Sequence, residues 1–303
     1  MAGDLSRRGF LGGIGGVVGA SLVGRRSTPL MLARPIPSTN EQLPVVGLGT
    51  WQTFDVPLSD SSGVERLSQT VRALYDAGGR VVDSSPMYGR SEEAFGAIAQ
   101  RLKLTNELFM ATKVWTNGER AGIEQMRASA AFFHRKTIDL MQIHNLVDWK
   151  THLPTLRRDK DAGRIRYIGI SHYTASAYPE LERVIRSEQI DFVQLAYAPG
   201  YRAAEKSLLP LAAERGVAVI VNRPFEGGGG LRAVLSKPFP QEVHSYANSW
   251  AQAFLKFIIA NTAVTCVIPG TGSPQHMTDN AAAGSSPLPS ERERRRLLEL
   301  IGA

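Results

Sequence analysis

Four side chains stand where apolar stretches of the sequence end, and together they have the chemistry to protonate a carbonyl oxygen. They are Asp83, Tyr88, Lys113 and His144. A tyrosine has a reference pKa of about 10, and a nearby lysine cation is expected to lower that pKa and make the phenol a better acid. The aspartate would keep the lysine charged, and a neutral histidine would donate a hydrogen bond to a developing alkoxide. These four residue types suit proton donation to oxygen while a hydride reaches carbon.

Each of these residues also has an ordinary structural explanation. Tyr88 in "PMYG" is compatible with a turn residue, Lys113 with a solvated charge at a strand end, and His144 with a hydrogen-bonded core histidine. Taken singly, each explanation is as good as catalysis. Their occurrence at three successive strand ends favours a shared chemical role.

These residues must be positioned by the elements around them, and the chain shows one repeated pattern. Eight short apolar runs are each followed by a longer amphipathic stretch. Most runs are nearly continuous in hydrophobic residues, as in parallel strands that are covered on both faces. The runs are "PVVGLGT", "RVVDSS", "LFMATKVW", "TIDLMQIHN", "IRYIGISHY", "IDFVQLAYA", "VAVIVNRPF" and "VTCVIPGTG".

Eight alternations of strand and helix predict an α/β protein with a (β/α)8 TIM barrel, which typically takes about 250 residues. A doubly wound open sheet is the alternative. The count of eight and the lack of a glycine fingerprint after the first run favour the barrel.

In a barrel the active site lies at the carboxyl ends of the strands. Polar residues continue to gather there in the second half of the chain, and two tryptophans lie in loops at the first and third strand ends. Trp51 and Trp115 therefore predict an apolar or sugar-like substrate face. The further polar residues are Ser171, His172, Gln194, Asn222, Gly270 and Thr271.

From about Leu43 to the end, the chain resembles the aldo/keto reductase family. The stretches that carry the resemblance are "VVDSSPMYGRSEEAFG", "MATKVW", "DLMQIHN", "GRIRYIGISHY" and "CVIPGTGSPQHMTDN", in the family's order. The resemblance implies a metal-free NAD(P)H-dependent oxidoreductase that reduces an aldehyde or ketone. It also implies that Tyr88 is the proton donor, that Lys113 and Asp83 support it, and that His144 orients the substrate carbonyl.

The resemblance further implies a site for the nicotinamide, with two departures from the family pattern. Ser171 and Gln194 match residues that hold the nicotinamide amide. His172 stands where the family often has asparagine, and its imidazole can still donate a hydrogen bond. Asn222 stands near a tyrosine that often stacks on the nicotinamide, so this stacking is either lost or supplied by Phe225.

A third departure concerns the 2′-phosphate of NADP. Gly270 and His276 stand where many family members place a lysine and an arginine, while Thr271 and Asn280 are retained. Fewer fixed cations predict weak discrimination between NADP(H) and NAD(H).

The N-terminal stretch "SRRGFLGGIGGVVGASLVG" (residues 6–24) lies outside this pattern. Its apolar part is shorter than the roughly 20 residues of a membrane span, and its glycines do not form G-x-G-x-x-G. The pair Arg7-Arg8 before an apolar run resembles a bacterial twin-arginine signal. We therefore expect residues 1–34 to be an export signal and linker, residues 35–303 to be the barrel, and the protein to meet the export machinery and reach the periplasm. The alternative is a disordered N-terminus on a cytoplasmic protein.

The long connection after the seventh strand runs from Phe225 to Asn248 and contains Gly227–Gly230. We interpret it as a mobile lid or clasp, because long loops in compact domains are commonly functional. The twin-arginine route carries folded proteins, so an exported nicotinamide enzyme would need slow cofactor release, and this clasp would provide it.

Composition narrows the remaining function classes. The net charge of the whole chain is +7, and residues 1–33 contribute four arginines and one aspartate, which leaves +4 for the rest. This mild charge does not favour nucleic-acid binding, and the run Glu291–Arg296 alternates in charge like the solvated face of a terminal helix. The single cysteine, Cys266, excludes an internal disulfide and a cysteine zinc cluster, and its apolar strand predicts a buried thiol.

Two other functions remain open from the residues alone. A barrel that binds nucleotide without chemistry would not need the four residues above. A barrel isomerase or hydrolase would need a metal cluster or paired carboxylates, whereas the strand ends offer Asp83 alone, with Glu226 in a loop.

Overall fold

The computed structural model describes residues 31–303, so residues 1–30 of the predicted signal and linker lie outside the described residues. A hairpin of two short antiparallel strands, β1 (Ala33–Pro35) and β2 (Gln42–Pro44), precedes the barrel. The barrel strands are β3 (Leu48–Gly49), β4 (Val81–Asp83), β5 (Phe109–Val114), β6 (Ile138–His144), β7 (Ile165–Ser171), β8 (Phe192–Ala196), β9 (Ala218–Asn222) and β10 (Cys266–Val267).

These eight strands form one parallel sheet in chain order, from β3 to β10. Two parallel bridges, Val46 with Val267 and Gly49 with Gly270, bring the last strand back to the first. The prediction of a (β/α)8 barrel is confirmed, since a helix follows each strand.

The described part of the chain contains ten α-helices. One helix follows each barrel strand, and two further helices, α7 and α10, lie in the connection after β9 and at the C-terminal end. The helices are α1 (Ser61–Asp76), α2 (Ser91–Arg101), α3 (Glu119–Phe132), α4 (Trp149–Asp161), α5 (Tyr178–Ser187), α6 (Leu208–Glu214), α7 (Gly229–Leu235), α8 (Trp250–Ile259), α9 (Pro274–Ala282) and α10 (Glu291–Ile301).

The barrel interior changes from apolar to polar along the strands. Successive side chains of a strand point to opposite faces, so Phe109, Ala111 and Lys113 of β5 share the inner face. The amino-terminal end of the interior is filled by an apolar cluster that includes Phe109 and two hairpin residues, Ile36 and Leu43. The hairpin therefore closes this end of the barrel, and the polar inner residues are left at the carboxyl end.

Residues before the predicted domain start are also packed against the barrel. Met31 is buried, and the Leu32 amide donates to Gly284 O over 2.8 Å. Arg34 donates to the carbonyl oxygens of Asn261 (2.8 Å), Val264 and Ile259 at the end of α8. A cation at a helix C-terminus is favourable, so residues 31–34 belong to the folded domain.

The connection from Phe225 to Asn248, predicted as a long loop, includes regular secondary structure. It contains the helix α7 (Gly229–Leu235) and a 3₁₀ segment, Gln241–Ser245. Gly227 and Gly228 have φ angles of 68° and 89°, a left-handed backbone conformation that glycine adopts without steric cost. A lid or clasp role for this connection stays a prediction.

Two smaller expectations can be compared directly with the structure. Cys266 is a free, fully buried thiol in β10, as predicted. The charged run of α10 is largely exposed, except that the side chain of Arg294 is 14% exposed, donates to Tyr197 Oη over 2.8 Å and lies over the Phe257 ring. Arg294 thus anchors the terminal helix. Among residues 31–303, we find no helix with the length and apolar character to cross a membrane.

Candidate active site

The buried ion pair of Lys113 and Asp83 lies at the polar end of the barrel. Lys113 Nζ donates to Asp83 Oδ2 over 2.6 Å and to the Ser84 carbonyl over 2.6 Å. The side chains of Lys113 and Asp83 are 0% and 3% exposed. Adjacent strands β4 and β5 carry the two residues at their carboxyl ends, so the strand register brings them together.

Tyr88 lies on the turn between β4 and α2, above this ion pair. The Tyr88 amide donates to Ser85 O over 3.0 Å, and Ser91 Oγ donates to Tyr88 O over 2.7 Å, which fixes the turn. Lys113 Nζ lies 5.2 Å from the centre of the Tyr88 ring. The ring also meets His144 edge to face, with 6.1 Å between centroids. The structure therefore brings all four predicted catalytic residues into one cluster.

The balance of charge and burial in this cluster differs from the expectation for Tyr88. Burial raises the pKa of Tyr88 and outweighs the opposing effect of the Lys113 cation, so the predicted lowering of this pKa is wrong for the protein as it stands. Burial lowers the pKa of Lys113, but the Asp83 carboxylate and its hydrogen bond, with a contribution from Tyr88, more than offset it, and the pKa of Lys113 is raised. Tyr88 and Lys113 both hold their protons at neutral pH.

His144 ends β6 and is held by a residue predicted to bind the cofactor. His144 Nδ1 and Ser171 Oγ are 2.9 Å apart, and their strands pair at these two residues. Burial, with the Lys113 cation as the next contribution and His172 as a smaller one, lowers the pKa of His144 to about 2. The imidazole is therefore neutral, as expected for a hydrogen-bond donor to a carbonyl.

His172 faces its own loop. Its Nδ1 accepts from the backbone amides of Tyr173 (3.0 Å) and Thr174 (3.2 Å), and its ring stacks on the Tyr173 ring. Because Nδ1 accepts two backbone N–H groups, the ring proton is on Nε2. Burial lowers the pKa of His172, which is consistent with a neutral ring. One donor, Nε2–H, remains for a ligand.

Gln194 and Asn222 belong to a network of amides beside the ion pair. Gln194 Nε2 donates to Asp83 Oδ1 over 2.9 Å, and Gln194 Oε1 accepts from Asn222 Nδ2 over 3.2 Å. Asn222 Nδ2 also donates to the His172 carbonyl over 3.3 Å. A carbonyl can only accept, so the Asn222 amide is oriented with Oδ1 turned away, and Oδ1 is buried with no hydrogen-bond partner.

The remaining predicted cofactor residues lie around the start of α9. Ser273 caps this helix by accepting from the His276 amide over 3.3 Å, and Thr271 Oγ1 accepts from the Ser273 amide over 3.1 Å. Gly270 and the side chain of His276 are exposed, whereas Asn280 is buried. The helix start therefore offers N–H groups and a positive dipole end, but no lysine or arginine at positions 270 and 276.

The model of the Aldo/keto reductase family matches residues 45–295 of this chain. The chain belongs to the aldo/keto reductase family. This reductase is therefore an NAD(P)H-dependent oxidoreductase that acts on a carbonyl compound.

Individual relatives agree with this assignment. An aldo-keto reductase of Mycobacterium sp. (strain JLS) is 28% identical over 265 residues, which cover 82% of this chain and 87% of the relative. An aldo-keto reductase of Bacillus subtilis (strain 168) is 28% identical over 192 residues, or 58% of this chain and 56% of the relative. The crystal structure of an aldo-keto reductase from Klebsiella pneumoniae in complex with NADPH has a TM-score of 0.74 at 22% identity, covering 89% of this chain and 96% of that chain, and supports the fold.

Four large apolar or aromatic side chains are exposed in the loops at the mouth of the reductase barrel. Trp51 and Trp115, predicted to contact substrate, are 48% and 40% exposed, and Met87 and Tyr173 are also exposed. The position of Trp115 is fixed by Gln125 of α3, which accepts from the Trp115 amide over 2.6 Å and donates to its carbonyl over 3.3 Å. Within residues 31–303, no group of three or more His, Cys, Asp or Glu side chains is placed to hold a metal.

One residue of the site was missed in the sequence. Gln142 of β6 donates to Asp83 Oδ1 over 3.0 Å and is fully buried. A signal for it existed, because it is an uncharged polar residue inside an apolar strand, two positions before His144 and so on the same inner face.

Proposed function

We propose that this reductase transfers a hydride between a nicotinamide cofactor and an aldehyde or ketone, with Tyr88 as the proton donor to the carbonyl oxygen. The observation that carries the assignment is the position of Lys113, which contacts Asp83 on one side and lies 5.2 Å from the Tyr88 ring centre on the other. A buried cation beside a protonated phenol favours the phenolate that proton donation leaves behind.

Each of the other residues has a defined task in this mechanism. The cofactor, when bound, supplies or accepts the hydride. His144 donates from Nε2 to the substrate oxygen, because Ser171 Oγ can donate to its Nδ1 and a pKa of about 2 keeps the ring neutral. Asp83 keeps Lys113 charged, because its Oδ2 accepts a hydrogen bond from Lys113 Nζ over 2.6 Å. Trp51 and Trp115, exposed at the mouth, contact the substrate and shield the reacting carbonyl from water.

The strand ends fit the nicotinamide cofactor. The unpartnered, buried Oδ1 of Asn222 needs an N–H donor, and a buried acceptor left unpaired costs about 1–3 kcal/mol. The carboxamide group of a nicotinamide provides such a donor, with the Nε2–H of His172 as a partner for its oxygen. At the other end, the α9 start with Gly270, Thr271, His276 and Asn280 would hold the adenosine phosphate.

Binding and turnover measured together test this function. We expect NADPH and NADH to quench the tryptophan fluorescence of the full chain, and NADPH oxidation at 340 nm to follow the addition of aromatic or short aliphatic aldehydes. Quenching without oxidation of any carbonyl in a broad panel would favour the non-catalytic nucleotide-binding barrel. No quenching by either nucleotide would contradict the proposal.

We expect the preference for NADPH over NADH to be less than about a hundredfold in Kd, which corresponds to about 2.7 kcal/mol. The reason is that positions 270 and 276 carry glycine and histidine rather than fixed cations. The measurement is a pair of titrations by fluorescence quenching, in parallel with His276→Arg. The arginine variant should tighten NADPH binding and leave NADH binding unchanged. A preference above a hundredfold in the unmodified protein would show that other cations read the phosphate.

We further propose that residues 1–30 are a twin-arginine leader and that the reductase is exported. The support is the order of Arg7-Arg8, the apolar glycine-rich run and the following Arg25-Arg26. Export of a folded reductase would carry its nucleotide across the membrane. The connection that contains Gly227–Gly230 remains the proposed clasp on that nucleotide.

We expect the mature protein, if the leader is removed, to begin no later than Met31. A cut after Ala33, the small residue of "MLARP", would delete Met31 and Leu32, which pack on the barrel, and free the strand that carries Arg34. Intact mass of the exported protein gives the N-terminus directly, with Arg7→Lys/Arg8→Lys as the export-blocked control. A mature chain that starts at Arg34 would contradict this expectation, and export of the double-lysine variant would contradict the leader.

A further inference from the structure

We propose that Gln142 is a positioning residue of the reductase: it holds one oxygen of Asp83 so that the other oxygen aims Lys113 at Tyr88. The inference rests on the proposed function, in which Lys113 supports proton donation by Tyr88. It assigns a task to a residue that touches neither substrate nor cofactor.

The contacts around Asp83 are divided between its two oxygens. Oδ2 accepts from Lys113 Nζ over 2.6 Å. Oδ1 accepts from Gln142 Nε2 over 3.0 Å and from Gln194 Nε2 over 2.9 Å. Gln142 Oε1 accepts in turn from Gln194 Nε2 over 3.2 Å. The ion pair is thus held by two amides on the side away from the lysine.

The orientation of the Gln142 amide is determined by its partners. An ionised carboxylate only accepts hydrogen bonds, so the amide nitrogen must face Asp83 and the amide oxygen must face the Gln194 nitrogen. Gln142 and Asp83 are 0% and 2% exposed, so water does not compete for these bonds. In such surroundings a fully paired polar network is rigid.

The fold makes room for Gln142 at this place. Gln142 pairs with Lys113 in the register of β5 and β6, so both reach the same level of the barrel. On the other side, Gly169 of β7 faces Gln142, and a Cβ at position 169 would lie 2.9 Å from Gln142 Cγ. A side chain there would push Gln142 away, which is why the close approach requires glycine.

Without Gln142, Asp83 Oδ1 would accept a hydrogen bond from Gln194 alone. The Asp83 carboxylate would then be free to rotate about its Cβ–Cγ bond. Lys113 would then sample positions away from the Tyr88 ring. We expect Gln142→Met, which has a similar volume and no donor, to lower kcat about tenfold at every pH, the size of one lost hydrogen bond to a charged group. The Kd of NADPH should stay within about twofold, because Gln142 is fully buried and offers no surface to a ligand.

Gln142→Glu separates positioning from packing. A glutamate at this place donates to Asp83 Oδ1 only while it is protonated, so its kcat should approach that of the unmodified reductase at acid pH and fall as pH rises. The charged and titratable groups nearest to it are Asp83 of β4, Lys113 of β5, Tyr88 of the turn after β4, and His144 on its own strand. The pKa values of Lys113 and Tyr88 are raised and that of His144 is lowered to about 2, so these three do not change protonation as Gln142→Glu titrates.

The matched control is Gln252→Met on α8. Gln252 is also buried and donates from Nε2 to an aspartate, Asp279, over 2.6 Å, but outside the barrel interior. It should lower the thermal midpoint without changing kcat or its pH profile. Folding of each variant is checked by the NADPH Kd, and Gln142→Asn, which keeps an amide too short to reach Asp83, replaces Gln142→Met if that variant does not fold.

A kcat of Gln142→Met or Gln142→Asn equal to that of the unmodified reductase would overturn the inference. So would a Gln142→Glu profile with the same shape as that of Gln142→Met. Failure of the proposed function has a different signature, because Tyr88→Phe would then keep its turnover. If Tyr88→Phe is inactive and the Gln142 variants are fully active, only the positioning role of Gln142 is wrong.

Discussion

Tyr88→Phe is expected to lower kcat for carbonyl reduction by about 10²- to 10⁴-fold, the usual contribution of a general acid. The change removes the hydroxyl and keeps the ring, so the edge-to-face contact with His144 and the turn bonds to Ser85 and Ser91 remain. Single-turnover oxidation of bound NADPH measures the chemical step directly. The Kd of NADPH, measured by fluorescence quenching, should be unchanged within about twofold.

The pH dependence of the unmodified reductase is linked to the same residue. The pKa values of Tyr88 and Lys113 are raised, and that of His144 is about 2, so none of the three changes protonation near neutral pH. We therefore expect kcat for reduction to be flat from about pH 6 to pH 8.

Full activity of Tyr88→Phe would mean that another group, or water, protonates the substrate.

Lys113→Met is expected to damage both stability and catalysis. It leaves the Asp83 charge buried and unpaired, and breaking a buried ion pair in this way costs about 3–5 kcal/mol of unfolding free energy. It also removes the cation that stabilises the Tyr88 phenolate, so kcat should fall by at least about a hundredfold. Urea unfolding and single-turnover kinetics measure the two effects separately.

A double variant, Lys113→Met/Asp83→Asn, distinguishes the two effects. The asparagine is neutral and still accepts from Gln142 and Gln194, so most of the lost stability should return. Activity should not return, because the cation beside Tyr88 is still missing. Recovery of kcat together with stability would show that Lys113 acts only through the fold and would contradict its assigned role.

The residues at the carboxyl ends of the barrel strands could be predicted from the sequence. Parallel strands in a barrel place their carboxyl ends on one side, so Asp83, Lys113 and His144 were predicted to meet without knowledge of any distance. The same reasoning identified Tyr88 in the turn that follows. The family match covers residues 45–295, a range that contains all four residues.

Contacts across the barrel could not be predicted in the same way. Gln142 and Gln194 both donate to Asp83, although they lie 59 and 111 residues further along the chain. Such contacts depend on the register of several strands at once, and a one-residue slip would turn a side chain to the other face. The orientation of the Asn222 amide, which donates to His172 O and Gln194 Oε1, has the same origin.

The sequence by itself determined the order of strands and helices, the family and the chemical types at the strand ends, because these depend on local pattern and spacing. Only the tertiary structure decided the protonation of Tyr88, since burial outweighs the Lys113 charge by an amount that no local pattern encodes. It also decided that Asp83 is held by two glutamines. The physical reason is that desolvation and hydrogen-bond geometry are set by side chains from strands distant in sequence, brought together by the closure of the barrel.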